Sequence, residues 1–351
     1  MNNFSTDKII TDCGLIAQTH ISDPKSAIQV AKAILAGGIQ VMTVSMLEQG
    51  AEKCIEEITN NLPGMIVGAS EVTEITQCEI SITAGAFFII TPLLDRDIAA
   101  WCLEHEILLI PNCVTPSDMF AANRLGLQLL GFFPADSYGG IHTITTFSRL
   151  LPTIKWIPLG ETSPQNLARY AVKRSIASVG CTWLHKNNDA LKDVIERCRQ
   201  ALDTILGFEL FHVGVNSTNI DTAQALAEKL HDAFRFKIAE GPGAFYASVN
   251  LQKINEELTD PTGNIAGSNP GAFYITTDFE LMKKQYLGTN GHLGIITNSV
   301  DRAIPYLGKK GYQVDMKTAY RLGNRYFTVY LKDEFGGFAV HLFQKQEATE
   351  Q

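Results

Sequence analysis

Residues 127–140 read LQLLGFFPADSYGG. A short apolar run, Leu127 to Phe133, stops at Pro134, and the pair Gly139–Gly140 follows. A run of that length reads as a strand buried on both faces, and proline and glycine are the residues that end it in a turn. The same pattern recurs on either side. Upstream lie GLIAQTHI, IQVMTVSM, MIVGASEV, FFIITP and LLIPNCV; downstream lie IKWIPLG and ASVGCTWL. Stretches of helical period separate them, among them DPKSAIQVAKAILAGG, DRDIAAWCLEHE and PSDMFAANRLG. Asp23-Pro24 and Thr115-Pro116 open helices with a cap residue and a proline, and AILAGG ends one on glycines. Eight strands, each followed by a helix, predict an α/β fold over residues 1–206, a (β/α)8 TIM barrel. A doubly wound sheet is the alternative, and eight regular units favour closure. In a barrel, chemistry sits at the C-terminal strand ends. Here those ends are His20, Thr43–Leu47, Ser70–Glu71, Pro92, Asn112–Thr115, Gly131–Asp136, Leu159–Glu161 and Gly180–Thr182. Gly131, the strand end of the opening stretch, carries no chemical group.

The chain has 351 residues, 45% of them apolar, and a formal net charge of −8. With no basic stripe, that balance argues against nucleic acid and anionic membrane as partners. No apolar run reaches the ~18 residues of a membrane span. MNNFSTDKIITDCG has neither a basic start nor a long apolar core, so no signal peptide is expected. The seven cysteines, Cys13, Cys54, Cys78, Cys102, Cys113, Cys181 and Cys198, form no CxxC pair. They predict reduced, buried thiols in a cytoplasmic protein.

Near residue 207 the pattern changes. FHVGVNSTNIDTAQALAEKL, from Phe211, aligns without a gap with GHLGIITNSVDRAIPYLGKK, from Gly291. His212 falls on His292, Gly214 on Gly294, Asp221 on Asp301, Ala223 on Ala303 and Lys229 on Lys309. Further on, FELM places Glu280 where VHLF places His341. An internal repeat of strand and helix follows. Strand-like GAFYASV and GAFYITT complete the first copy and RYFTVYLKD the second. The expectation for residues 207–351 is an α+β domain of paired βαβββ modules. The first copy carries an additional segment, NLQKINEELTDPTGNIAGSNP, expected to be a loop or lid.

Four ligand-type residues emerge from the repeat: His212, Glu280, His292 and His341. Strand alternation sends the repeated histidines to one face, and two-fold pseudo-symmetry would gather all four in one cleft. Three imidazoles and a carboxylate suit a borderline divalent metal: Zn, Ni, Co, Fe or Mn. Open positions on it would take a bidentate pair of substrate oxygens. Residues 208–346 resemble the vicinal oxygen chelate (glyoxalase/dioxygenase) fold. That superfamily commonly places His, Glu, His and Glu at these strand positions, and His341 in the last place makes this site more positive. The superfamily's reactions are diverse, so the resemblance alone selects none. Proton abstraction from a chelated hydroxy-keto compound needs a base, and Glu280 would serve if it left the metal.

The first half resembles the KHG/KDPG (2-keto-3-deoxy-6-phosphogluconate) aldolase family. The motifs are AKAILAGGIQVMTVSM, MIVGASEV, LLIPNCVTPSDM, GFFPADSYGG and VGCTWL, with FFPA followed by GG the sharpest. With YLKDEFGGFAVHLFQ near its end, the whole chain resembles an extended subgroup of that family. The resemblance implies a carbon–carbon lyase that releases pyruvate from 2-keto-3-deoxy sugar acids through a lysine Schiff base. It also implies trimers built through the barrel. The family's lysine falls on Gly131, its proton-moving glutamate on Thr43, its carboxylate-binding arginine on Leu47 and its pyruvate-holding threonine on Glu71. Glycine forms no imine, leucine holds no carboxylate, and Glu71 would repel an anionic keto acid.

The family's glycine-rich phosphate turn becomes LGETS here, with Gly160 kept and Glu161 charged. Gly180, Cys181 and Thr182 remain anion-binding candidates. Lys155 begins a strand, at the wrong end, and Lys186 follows the last strand toward solvent. Three readings follow. The first is a barrel that has lost imine chemistry, beside a metal-chelating domain that binds or converts a small oxygenated substrate. The second is a non-catalytic binder or regulator of keto-sugar acids. The third is an active aldolase by another route, or a new chemistry at Glu71, Thr43, Asp136 or His20. No organic cofactor is implied.

Overall fold

The structure, a computed structural model, describes residues 3–187, 189–240, 243–249, 252–253, 274–276 and 278–345. The chain divides into two compact units, Met1–Leu206 and Gly207–Gln351.

The first unit opens with helix α1 (Asn3–Cys13) and then alternates strand and helix. Its strands are β1 (Leu15–Thr19), β2 (Val41–Ser45), β3 (Ile66–Ser70), β4 (Phe88–Thr91), β5 (Leu108–Pro111), β6 (Leu129–Phe132), β7 (Lys155–Pro158) and β8 (Val179–Cys181). Between them lie α2 (Pro24–Ala36), α3 (Ala51–Asn61), α4 (Ile75–Thr83), α5 (Arg96–Glu104), α6 (Pro116–Arg124), α7 (Gly140–Leu150) and the short α8 (Leu167–Ala171); α9 (Leu191–Leu206) closes the unit. Each strand falls within the apolar run that predicts it. Strands β2 and β3 are buried along their whole length, as parallel strands covered on both faces must be. Helix starts follow the cap residues. The Asp23 carboxylate accepts the Ser26 N–H at 2.8 Å ahead of Pro24. Thr115 and Asp118 form a reciprocal capping box at the start of α6.

The sheet is parallel and curled, with order β5-β4-β3-β2-β1-β8, and β6 and β7 form a separate parallel ladder. An uninterrupted eight-stranded ladder is therefore not what the strands make. At one seam β5 and β6 share a single bridge, Asn112 to Gly131. At the other, β7 bonds the chain ahead of β8: Trp156 N–H donates to Ser175 O and Ala177 N–H donates to Trp156 O. The strands at these seams have only three or four residues, too few to sustain a ladder on both sides.

Register fixes which side chains share a face, because partners across a parallel ladder point the same way. Gln18 pairs with Thr43, Thr43 with Gly68, Ile16 with Gly180, and Gly131 with both Asn112 and Ile157. One face of the strand ends thus carries Gln18, Thr43, Asn112, Gly131, Leu159 and Gly180.

The second unit holds β9 (Glu209–Val215), α10 (Ile220–Phe234), β10 (Lys237–Glu240), β11 (Ala244–Ser248), a small ladder of β12 (Gln252–Lys253) and β13 (Tyr274–Thr276), and β14 (Phe279–Met282). The second copy follows as β15 (Gly291–Thr297), α11 (Val300–Lys309), β16 (Val314–Leu322), β17 (Arg325–Phe335) and β18 (Phe338–Gln344). Its main sheet runs β10-β11-β14-β9-β15-β18-β17-β16. The order reads alike from either edge toward the antiparallel pair β9/β15, as a repeated unit requires. The two helix-side cores are repeat-related: Ala223, Phe245 and Leu281 in one, Ala303, Val329 and Leu342 in the other. Most of the expected loop or lid, NLQKINEELTDPTGNIAGSNP, lies outside the described residues, and of GAFYITT only 274–276 is described.

Candidate functional site

The centre of the second unit is built by one motif used twice. His212-Val-Gly214 on β9 and His292-Leu-Gly294 on β15 run antiparallel, with His212 opposite Gly294 and Gly214 opposite His292. Each imidazole lies over the other strand's glycine. A Cβ at Gly214 would stand 2.0–2.4 Å from the His292 ring, and one at Gly294 would stand 2.5–2.7 Å from the His212 ring. The glycines are therefore part of the site, since any larger residue would take the histidines' place. Strands β14 and β18 flank this pair and add Glu280 and His341.

The structure brings all four residues together. His212 Nε2 lies 3.2 Å from His292 Nε2 and 3.0 Å from His341 Nε2. The Glu280 carboxylate lies 3.3 Å from His292 Nε2 and 3.9 Å from His212 Nε2. All four are buried, at 2–3% exposure. Burial pushes the pKa of His212 down, and that of His341 well down, so both imidazoles are favoured neutral. Burial pushes the Glu280 carboxyl up, yet His212 and the hydrogen-bonding His292 together hold it below its ordinary value. The His341 Nδ1 faces Thr328 Oγ1 at 3.1 Å, whereas the Nδ1 atoms of His212 and His292 have no hydrogen-bond partner. Tyr330 stacks on His341, ring centroids 4.7 Å apart, and Tyr286 lies edge-on to His292 at 6.1 Å.

Protons alone satisfy this cluster poorly. His212 Nε2 has one in-plane position, and two other Nε2 atoms crowd it. If it is a donor it reaches only one of them; if it is an acceptor its single lone pair is shared by two donors. A divalent ion bound by about 2.0–2.1 Å bonds in tetrahedral geometry spaces its ligand atoms about 3.3 Å apart, close to the 3.0, 3.2 and 3.3 Å separations and shorter than the 3.9 Å from Glu280 to His212. The donor set also leaves a buried carboxylate in a cluster where the His212 and His341 imidazoles favour neutrality, an arrangement that a cation stabilises.

In the first unit the strand ends form a different environment. At the end of β3, Glu71 has left-handed backbone (φ 59°) and its carboxylate accepts from Ser45 Oγ. His20 lies near two carboxylates, 3.5 Å from Glu48 and 3.8 Å from Glu71. Glu161, also left-handed (φ 58°), accepts the Ser137 N–H at 2.7 Å and the Ser137 hydroxyl at 2.9 Å. Asp136 is held by Asn166 at 2.7 Å and Tyr170 at 2.6 Å. Gly131 is filled from across the seam: a Cβ there would stand 2.0 Å from Asn112 Oδ1 and 3.0 Å from a Leu159 methyl.

A family model described as KDPG and KHG aldolase matches residues 6–200. The chain belongs to the KDPG and KHG aldolase family. It is 30% identical over 186 residues to the KHG/KDPG aldolase of Escherichia coli K12, an alignment covering 52% of this chain and 87% of the relative. It is 31% identical, with the same coverage, to the 2-dehydro-3-deoxy-phosphogluconate aldolase of Dickeya dadantii. The solved KDPG aldolase of Legionella pneumophila, holding pyruvate as a covalent carbinolamine, superposes with a TM-score of 0.53 at 28% identity, over 55% of this chain and 96% of that one. All three matches are of a length that the first unit supplies.

Within this aldolase-family unit the four positions singled out by the resemblance are scattered in character. Thr43 is fully buried and its hydroxyl has no partner; Leu47 is 66% exposed; Glu71 bonds Ser45; Gly131 lies under Asn112. The anion candidates stand in different surroundings. Gly160 packs under the Phe133 ring, Gly180 lies within β8 beside Gln18, Thr182 is exposed, and burial pushes the Cys181 thiol up to about 12. Lys155 donates to the Arg174 carbonyl at 3.3 Å, and Lys186 is exposed. All seven cysteines are buried and none is in a disulfide. No helix among the described residues is long and apolar enough to cross a membrane.

Sequence reasoning missed Gln18, Thr328, Tyr286 and Tyr330. Tyr330 carries a detectable signal, because it and Tyr246 follow the repeat-related core residues Val329 and Phe245. Gln18 and Tyr286 carry none.

Proposed function

We propose that this aldolase-family chain has given up imine chemistry in its first unit, and that its second unit binds a divalent metal through His212, Glu280, His292 and His341. The convergence of three buried Nε2 atoms and a carboxylate carries the metal reading. Zn, Ni, Co, Fe and Mn all suit that donor set. The topology supports a paired βαβββ module of the vicinal oxygen chelate kind, and a bound ion would polarise the oxygens of a small chelating ligand. The residues around it have separate tasks. Thr328 orients His341, the two glycines admit the imidazoles, and Tyr286 and Tyr330 wall the site with aromatic faces. Glu280 can hold a proton at its carboxylate when it is not engaged by the metal.

For the first unit, the inference rests on Gly131. In the family's chemistry an amine at this strand end attacks a keto carbon, and here the space belongs to Asn112. Lys155 does not replace it, since it begins β7 and its ammonium bonds the Arg174 carbonyl. A curled sheet kept without its reactive amine favours a binding role, and the eight strands read as a (β/α)8 barrel whose binding end is the C-terminal face of its strands.

Two measurements test the proposal. Elemental analysis of purified protein should give about one divalent metal per chain, and His212→Ala and His292→Ala should each remove it; unchanged occupancy in both variants rejects the tetrad. Borohydride reduction in the presence of pyruvate should leave the mass of the chain unchanged, whereas a stable adduct on any lysine rejects the loss of imine chemistry.

A further inference from the structure

Residues 283–290 join β14, the strand that carries Glu280, to β15, the strand that carries His292. Both ends of this link are fixed to the backbone of neighbouring segments. The Lys283 N–H donates to the Gly243 carbonyl at 2.9 Å, and the Asn290 N–H donates to the Gly337 carbonyl at 2.8 Å. The middle is held by a side chain. Asn216, the first residue after β9, has an Oδ1 that accepts the Tyr286 N–H at 3.0 Å. Its Nδ2 donates to the Gly288 carbonyl at 2.9 Å and lies 3.4 Å from that of Tyr286. Among the described residues, the main chain of 284–288 makes no other hydrogen bond. Gly288 has left-handed backbone (φ 79°), and a Cβ there would stand 2.0 Å from the Gly291 carbonyl oxygen and 2.5 Å from the Ala339 nitrogen. The link thus turns on a glycine pressed against the starts of β15 and β18.

Tyr286 is the side chain that this arrangement positions. Its ring lies edge-on to His292, centroids 6.1 Å apart, and to Tyr330, at 6.3 Å, and it packs on the buried cluster of Ala244, Tyr246 and Met282. His292 is 2% and Tyr330 3% exposed, whereas Tyr286 is half-buried. The Tyr286 ring therefore stands between the imidazole and solvent. Gln285 and Leu287, on either side of it, are exposed, so the tyrosine ring is the apolar anchor of the stretch. A segment anchored by one ring and one side-chain amide opens locally at a smaller free energy than the sheet beneath it. An ion buried among the four ligand-type residues needs such an opening to enter or leave.

We propose that residues 284–288 are a latched flap over the metal site. Tyr286 is its cover, Gly288 the turn on which it moves, and Asn216 the latch, a positioning residue that acts through Tyr286. Divalent ions and small chelating ligands exchange when the Asn216 hydrogen bonds break. The role in exchange rests on the metal reading of the proposed function; the cover over His292 stands without it.

The test has two readouts. In chelator-treated protein, the rate at which diethyl pyrocarbonate modifies His292 is followed by peptide mass spectrometry and referred to His142, which is exposed. Parent His292 should react far more slowly than His142. Asn216→Ala and Tyr286→Ala should each raise the His292 rate about tenfold, because they remove the bonds or the ring that oppose opening. Ser299→Ala, which loosens a helix of the same unit away from the flap, should leave that rate unchanged. In zinc-loaded protein, release of the ion to excess chelator should accelerate by a similar factor in the Asn216 and Tyr286 variants, with the zinc content at loading unchanged. Unchanged His292 rates in folded Asn216→Ala and Tyr286→Ala protein would overturn the flap. So would parent His292 as reactive as His142, or a rise in Ser299→Ala equal to that in Asn216→Ala. Faster His292 modification with unaltered zinc release overturns the role in exchange. A parent that binds no metal fails the metal reading, and the His292 rates still decide the flap.

Discussion

Small residues decide both sites. Gly214 and Gly294 make room for the imidazoles, so Gly214→Ala and Gly294→Ala should each displace a histidine. The expected cost is about 1–3 kcal/mol, as for overpacking a buried position, together with a fall in metal content, read by thermal unfolding and elemental analysis of the same samples. Wild-type stability with wild-type metal in both variants would show that the rings are not held by these contacts. Gly131 obeys the same logic on another strand. Gly131→Lys would put a Cβ 2.0 Å from Asn112 Oδ1, so placing a lysine there alone should destabilise the fold by a similar ~1–3 kcal/mol and yield no borohydride-trapped pyruvate. Removing the obstruction as well, in Gly131→Lys/Asn112→Ala, should recover much of that stability. If the single variant is as stable as the parent, the strand end has more room than the Asn112 contact implies.

At the scale of elements, the repeat extends to the way helices begin. Asn219 caps α10 by accepting the Thr222 N–H at 2.9 Å, and Ser299 caps α11 by accepting the Arg302 N–H at 3.3 Å. Both caps stand just after the strand that carries a histidine of the buried cluster, so each helps fix where that strand ends. Asn219→Ala and Ser299→Ala should each cost about 1 kcal/mol, seen as faster amide exchange in the first turn of the corresponding helix. Glu74 precedes α4 without a side-chain cap bond, and Glu74→Ala should stay within about 0.5 kcal/mol of the parent. These elements were legible because their signals are local: a cap residue, a proline, an apolar run. The seams of the first sheet were not. Whether β5 meets β6 in a ladder or in one bridge depends on strand length and on a side chain, Asn112, reaching over a glycine that is distant in sequence. The tetrad was legible because the repeat superposes HVG on HLG, whereas Tyr286 comes from a loop outside both copies of the motif.

Across the whole molecule, two units of different chemistry share one chain, and acid should separate them. In the second, burial first, and then the neighbouring imidazoles, hold His341 well below the ordinary histidine range, and burial holds His212 below it. Their unfolded values are about 6.5. Between that value and their lower folded values the unfolded chain binds more protons than the folded one, so stability rises with pH there. The contribution is therefore complete above pH ~6.5 and is lost progressively as pH falls below it. Chelator-treated protein should show a falling urea midpoint for the second unit between pH 7.5 and pH 5. His341→Phe, which replaces one titrating ring with an apolar one, should flatten that fall. Protein loaded with Zn should be more stable at neutral pH and lose that advantage more steeply on acidification, because protons compete for the same nitrogen atoms. A midpoint independent of pH in the metal-free chain would mean that the buried histidines titrate alike in the folded and unfolded states, and would remove the electrostatic reason for a cation among them.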